Sequence, residues 1–65
     1  MNLVKYHNKR VKIILSYSNT PLIGMANYFD SEGFETLEDG LVVKSEEDKQ
    51  YYEVLSSEIK SIEIM

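Results

Sequence analysis

Thr20–Leu37 reads TPLIGMANYFDSEGFETL, and this stretch decides how the chain folds. Leu22–Phe29 is predicted to be a strand. Leu22, Gly24, Ala26 and Tyr28 share one face, while Ile23, Met25 and Phe29 line the other. A Gly-x-Ala gap opposite a row of large side chains lets a strand bend sharply or accept a close neighbour. A strand shared between two sheets of a small barrel needs that property. Asp30-Ser31-Glu32-Gly33 reads as an acidic turn closing a hairpin, with Gly33 free to take a positive φ. Phe34–Leu37 is then the returning third strand.

The rest of the chain supplies partners for that hairpin. Upstream, Val11–Tyr17 (VKIILSY) alternates Val11, Ile13, Leu15 and Tyr17 on one face, and Ile14 breaks the polar alternation of the other. The centre of this strand is therefore expected to be covered on both sides. Ser18-Asn19-Thr20-Pro21 supplies the turn that follows. Downstream, Asp39-Gly40 is either a hairpin turn or a bulge within one long bent strand from Phe34 to Lys44. The bulge is preferred, because a tight hairpin would make Leu41–Lys44 compete for the partner of the second strand. Ser45–Asp48 is a charged turn, Gln50–Leu55 the fourth strand, Ser56–Ile59 one 3-10 turn with Ser56 as its N-cap, and Lys60–Met65 the fifth strand. Residues 1–10 form either a short helix capped by Asn2, with Leu3, Tyr6, His7 and Arg10 on one face, or an extended arm. Five short strands cannot make two broad sheets. The expected fold is all-β: one domain over residues 1–65, a small, strongly bent five-stranded barrel.

Size and composition bear on function. A 65-residue chain is one small domain with a marginal core, burying only about 60% of its unfolded surface. Disulfides, a metal or self-association normally supplement such a core. Cys is absent and His7 is the single histidine, so neither a disulfide nor a zinc set is available, and no cofactor is expected. Burial against other copies or a partner is what remains. The absence of Cys, of any apolar run long enough for a membrane span, and of a secretory signal makes a complete cytoplasmic protein the expectation.

The net charge of −4 is unevenly distributed: residues 1–12 carry four bases and no acid, whereas residues 13–65 carry three bases and eleven acids. A basic head of this kind can meet nucleic acid, dock on the acidic flank of another copy, or simply be solvated, which is the plainest reading.

At Val11-Lys12-Ile13, Pro21-Leu22-Ile23-Gly24, Tyr28-Phe29-Asp30, Phe34–Leu37 and Ile59–Ile62 the chain resembles the Sm-like (Hfq-like) family of small β-barrels. The resemblance covers roughly residues 11–65 and implies RNA binding by homo-oligomeric rings, built by pairing the fourth strand with a neighbour's fifth. It puts Tyr51, Tyr52, Val54, Ile62 and Ile64 at the oligomer interface, and matches Asp30 to the first Asp of the family's RNA-reading turn. The departures are specific. Glu32 and Gly33 stand where the turn should lead to an Asn, and Val54-Leu55-Ser56-Ser57 carries no base or imidazole before the last strand. The barrel is thus expected without its RNA pocket.

No residue pattern indicates catalysis. His7 has no evident partner to make it a general base, the serines lack a nucleophile elbow, and Asp30-Ser31-Glu32-Gly33 lacks the ligand series of a calcium loop. The five tyrosines favour interfaces or packing, since eleven acids oppose the approach of phosphates needed for base stacking. The expected function is a non-catalytic, self-associating interaction module. The alternative is an RNA-binding protein using Lys5, Lys9, Arg10 and Lys12, with Asp30 in the turn.

Overall fold

The computed structural model describes residues 2–34 and 37–65. Its strands are β1 (Lys9–Leu15), β2 (Leu22–Phe29), β3 (Gly40–Ser45), β4 (Tyr51–Leu55) and β5 (Ile59–Ile64). They form one antiparallel sheet in the order β4-β3-β2-β1-β5. The thinnest dimension is 20 Å, about twice the thickness of a single sheet layer, so the sheet bends over its own contents. Its radius of gyration of 10.7 Å equals that of a compact domain of this length, about 11 Å. The sheet remains open, with β4 and β5 as its two edges. The 3-10 turn Ser56–Glu58 connects them.

The core consists of Leu3, Tyr6, Val11, Ile13, Leu22, Ala26, Leu41, Val43, Val54 and Ile59. Alternation accounts for most of it: Val11 and Ile13 on β1, Leu22, Gly24 and Ala26 on β2, Leu41, Val43 and Ser45 on β3 all face inward and are buried. Leu3 and Tyr6 come from the N-terminal segment. That segment is a 3-10 turn, Val4–Tyr6, which places residues three apart on one side and so delivers both side chains into the bend. Ile14 is half-buried on the outer face.

Gly24 admits a close approach of β3. A Cβ built there would lie 1.8 Å from the carbonyl oxygen of Lys44, so the β3 backbone occupies the space a side chain would need. The close neighbour expected from the Gly-x-Ala gap is β3 itself. Gly40 has a similar role: a Cβ would lie 2.2 Å from the carbonyl oxygen of Val54 and 2.8 Å from Cζ of Phe29, which is buried although it has outer-face parity.

The segment between β2 and β3 departs from expectation. Ser31–Phe34 is a helical turn rather than a tight hairpin turn, and Leu37-Glu38 lies in a bend. Glu35 and Thr36, the middle of the expected third strand, lie outside the described residues. The physical reason is register: Phe29, the last residue of β2, stands opposite Gly40, so the β2–β3 ladder ends before Asp30 and Asp39 are reached. Asp39-Gly40 is accordingly neither hairpin nor bulge, but the entry to β3. No described glycine has a positive φ; the left-handed positions belong to Asn8 (60°), just before β1, and Lys49 (63°), in the turn before β4. A bulge lies between β1 and β5, where Ile14 pairs with Ser61 and Leu15 with Ile59, so that Lys60 is the extra residue.

Candidate oligomer interface: the two sheet edges

Hydrogen-bonded and non-bonded pairs alternate along an antiparallel ladder, and only the non-bonded residues of an edge strand turn their N–H and C=O groups outward. On β4 the phase is set by two bonds: Ser45 N–H donates to Gln50 O (2.8 Å) and Ser56 N–H to Asp39 O (3.0 Å). Counting inward, Tyr52 and Val54 bond to β3, and Tyr51, Glu53 and Leu55 face the open edge. The N–H of Leu55 is already taken, since it donates to Glu58 Oε1 at 2.9 Å. The Ser56 side chain does not cap the 3-10 turn as expected; Glu58 does so by reaching back. Tyr51 and Glu53 thus carry the free groups of this edge.

On β5 the phase comes from Met65 N–H donating to Arg10 O (2.9 Å) and Ser16 N–H donating to Glu58 O (2.9 Å). Ser61 and Glu63 bond to β1, so Ile62 and Ile64 turn their backbone groups outward. Ile64 is 51% exposed and Met65 53% exposed. A hollow of about 380 Å³ lined by Lys12, Ile14, Ser61, Ile62 and Glu63 lies beside this strand.

The expected interface residues therefore divide. Ile62 and Ile64 lie on the free β5 edge. Tyr51 lies on the β4 edge, 66% exposed, with Lys44 Nζ 5.7 Å from its ring centroid. Tyr52 is exposed, and its hydroxyl donates to Asp48, which raises the Tyr52 pKa and lowers that of Asp48. Val54 is sealed in the core of its own chain at 1% exposure.

The basic residues are separated as well. Arg10 bridges Glu46 through two contacts, Nε to Oε2 at 2.6 Å and Nη2 to Oε1 at 2.9 Å. These hydrogen bonds raise the Arg10 pKa and lower that of Glu46. Lys12 stands opposite Glu63 on β5. Lys5 lies 5.2 Å from the Tyr6 ring centroid on the 3-10 turn. Lys9 opens β1, at the end of the sheet where β2 closes and the exposed Asp30 follows. Two of the four bases thus already face an acid. His7 is structural: its Nδ1 accepts the N–H of Tyr28 at 3.0 Å, extending the β1–β2 pairing past Asn8.

Sequence reasoning missed one cluster. Glu38 accepts hydrogen bonds from the Ser56 hydroxyl (2.8 Å), the Ser57 N–H (2.5 Å) and the Ser57 hydroxyl (2.9 Å). These donors, the Ser57 N–H foremost, hold its pKa below the usual carboxylate range. The carboxylate clasps the approach to β3 onto the turn that joins the two sheet edges. Beside it, Tyr28 Oη donates to Asp39 Oδ2 at 3.0 Å, which raises the tyrosine pKa. No local pattern announces the clasp, because its partners are 18 and 19 residues apart in sequence.

Comparisons with family models, curated proteins and solved structures give no match to this chain. Among the described residues, no helix is long and apolar enough to cross a membrane, and no group of three or more His, Asp or Glu side chains could hold a metal ion.

Proposed function

We propose that this protein is a non-catalytic, Sm-like small β-barrel module of the cytoplasm that works by self-association through its edge strands. The observation that carries this reading is the open sheet: Tyr51 and Glu53 on β4, and Ile62 and Ile64 on β5, present backbone donors and acceptors that no strand among the described residues takes up. An edge of this kind is a template for another strand, and adding one satisfies those groups while covering neighbouring apolar side chains. The exposed Tyr51, Ile64 and Met65 flank the edges and gain burial on pairing. The small core supports the same reading, since association adds the buried area that a 65-residue chain lacks alone.

Mass measured in solution by light scattering over a concentration series tests this. The expected result is a mass above one chain at micromolar concentration and higher, and a monomer throughout refutes it. The same series with single-stranded RNA over a range of salt concentrations separates the RNA-binding alternative. Phosphate contacts impose a steep salt dependence. With Arg10 bound to Glu46 and Lys12 facing Glu63, no RNA binding is expected.

A further inference from the structure

The two edges are not equivalent, and their difference indicates which strand meets which. On β5 the free backbone groups belong to Ile62 and Ile64, which stand opposite the inward-facing Ile13 and Val11 and so share their face. On β4 they belong to Tyr51 and Glu53, which stand opposite Lys44 and Val42 on the outer face. Residues directly opposite in an antiparallel ladder carry their side chains on the same side. Pairing β4 of one copy antiparallel with β5 of another would therefore join the outer face of the first to the core face of the second. Pairing β5 with β5 keeps the faces matched. The β4 edge is also the more guarded, because Glu58 takes up the N–H of Leu55 and one of the two residues that carry the remaining free groups is the charged Glu53.

We propose that a second copy of this chain docks on the β5 edge through a two-fold, antiparallel pairing centred on Ile62, merging two five-stranded sheets into one. The inference rests on the self-association reading and adds the edge, the symmetry and the register. Three centres, Ser61, Ile62 and Glu63, fall within a strand of this length, and chemistry selects among them. A two-fold axis at Glu63 sets two carboxylates directly opposite each other, which is destabilising. An axis at Ser61 leaves Ile64 beyond the paired strand. An axis at Ile62 bonds Ile62 to the partner's Ile62 in both directions, lays Ile64 along the stem of the partner's Lys60, and sets Ser61 against the partner's Glu63. Lys12 remains opposite Glu63 on the adjoining strand β1. A two-fold contact uses the same patch on both copies, so the assembly closes as a dimer.

Cysteine cross-linking tests the register directly, because the chain has no cysteine of its own. In the Ile62-centred pairing, Ser61 and the partner's Glu63 form a non-bonded pair with Cα atoms about 4.5 Å apart, within disulfide reach. Purified Ser61→Cys and Glu63→Cys chains are mixed and oxidised, and the masses of the products are read. The expected product is the mixed disulfide, in excess over either symmetric one. Predominance of the Glu63→Cys or Ser61→Cys symmetric disulfide assigns the axis to the other centres and overturns the register. Association without any cross-link overturns the β5 edge while leaving self-association standing. A monomer at all concentrations removes both. As a second measurement, Ile64→Lys, at an exposed position that leaves the core intact, brings lysine against the partner's Lys60 twice per dimer. It is expected to raise the dimer Kd at least about tenfold (about 1.4 kcal/mol) with an unchanged circular dichroism spectrum. An unchanged Kd overturns the proposal.

Discussion

Gly24→Ala is the substitution to which this fold is most exposed. The added methyl carbon would sit 1.8 Å from the Lys44 carbonyl oxygen and 2.7 Å from its carbonyl carbon, where ordinary contact begins at 3.4 Å. The obstruction is backbone, so no side chain can rotate out of the way. β3 must retreat from β2 by more than an ångström at the end of the ladder where Gly24 stands opposite Ser45. Glu46 N–H donates to Ile23 O at 2.9 Å, which sets the phase and makes Met25–Lys44 the bonded pair beside the collision. Parting its two hydrogen bonds costs about 2 kcal/mol, at about 1 kcal/mol each. Overpacking strain adds about 1–3 kcal/mol. The stiffer unfolded chain returns only about 0.4–1 kcal/mol. The net loss, about 3 kcal/mol, approaches the whole stability of a domain this small, about 3–5 kcal/mol.

Urea unfolding followed by circular dichroism at several protein concentrations reads this loss, and Met25→Ala serves as control. Met25 is the next residue on β2, 44% exposed on the outer face, and its truncation should change stability by no more than about 0.5 kcal/mol. Gly24→Ala should be largely unfolded, or show a midpoint lowered by the full amount. A midpoint within about 0.5 kcal/mol of the parent, with unchanged denaturant sensitivity, would refute the close approach of β3 to Gly24.

Gly40→Ala should destabilise in the same direction but by less, since its nearest obstruction is 2.2 Å away and part of its surroundings is the movable ring of Phe29; the same urea series ranks the two. Glu38, Glu46 and Asp48 all have lowered native pKa values, so each contributes stability above its unfolded pKa that is lost as pH falls through the lower native value. Unfolding midpoints should therefore fall as the solution is acidified below the usual carboxylate range, and less steeply in Glu38→Gln than in the parent. At the alkaline end the sign reverses: Tyr28 and Tyr52 have raised native pKa values, so their contribution is present below the unfolded value and fades as pH climbs through the native one, which tyrosinate absorbance follows. His7→Ala removes the acceptor for the Tyr28 N–H and should cost about 1 kcal/mol or less, read as faster hydrogen exchange at that amide.

The strands were largely legible because their signal is local. Leu22–Phe29 begins and ends where alternation and the flanking Pro21 and Asp30 place it, and β1, β4 and β5 lie within two residues of expectation. The misreading between residues 30 and 39 has a definite cause. Gly33 and Gly40 both look like turn glycines in isolation, but Gly40 is required by Phe29 and Val54, residues that reach it only once the sheet is formed. The N-terminal segment was ambiguous for a similar reason. Leu3 and Tyr6 have a helical spacing too short to stand alone, and their burial comes from the open end of the bend into which they fit.

The candidate interface divides along the same line. Period-two alternation by itself located β1, β2, β4 and β5 and sorted the residues of β1 and β2 into two faces, because side chains in a strand point alternately to either side whatever the strand pairs with. Which backbone groups remain free on β4 and β5 depends on the phase of each ladder, and that phase is set by contacts such as Met65 with Arg10 and Ser56 with Asp39. The Arg10–Glu46 bridge and the Glu38 clasp join residues 36 and up to 19 positions apart. Only the bent sheet brings them together. The tertiary structure therefore decided that Arg10 is already paired, which edge is guarded and which is open.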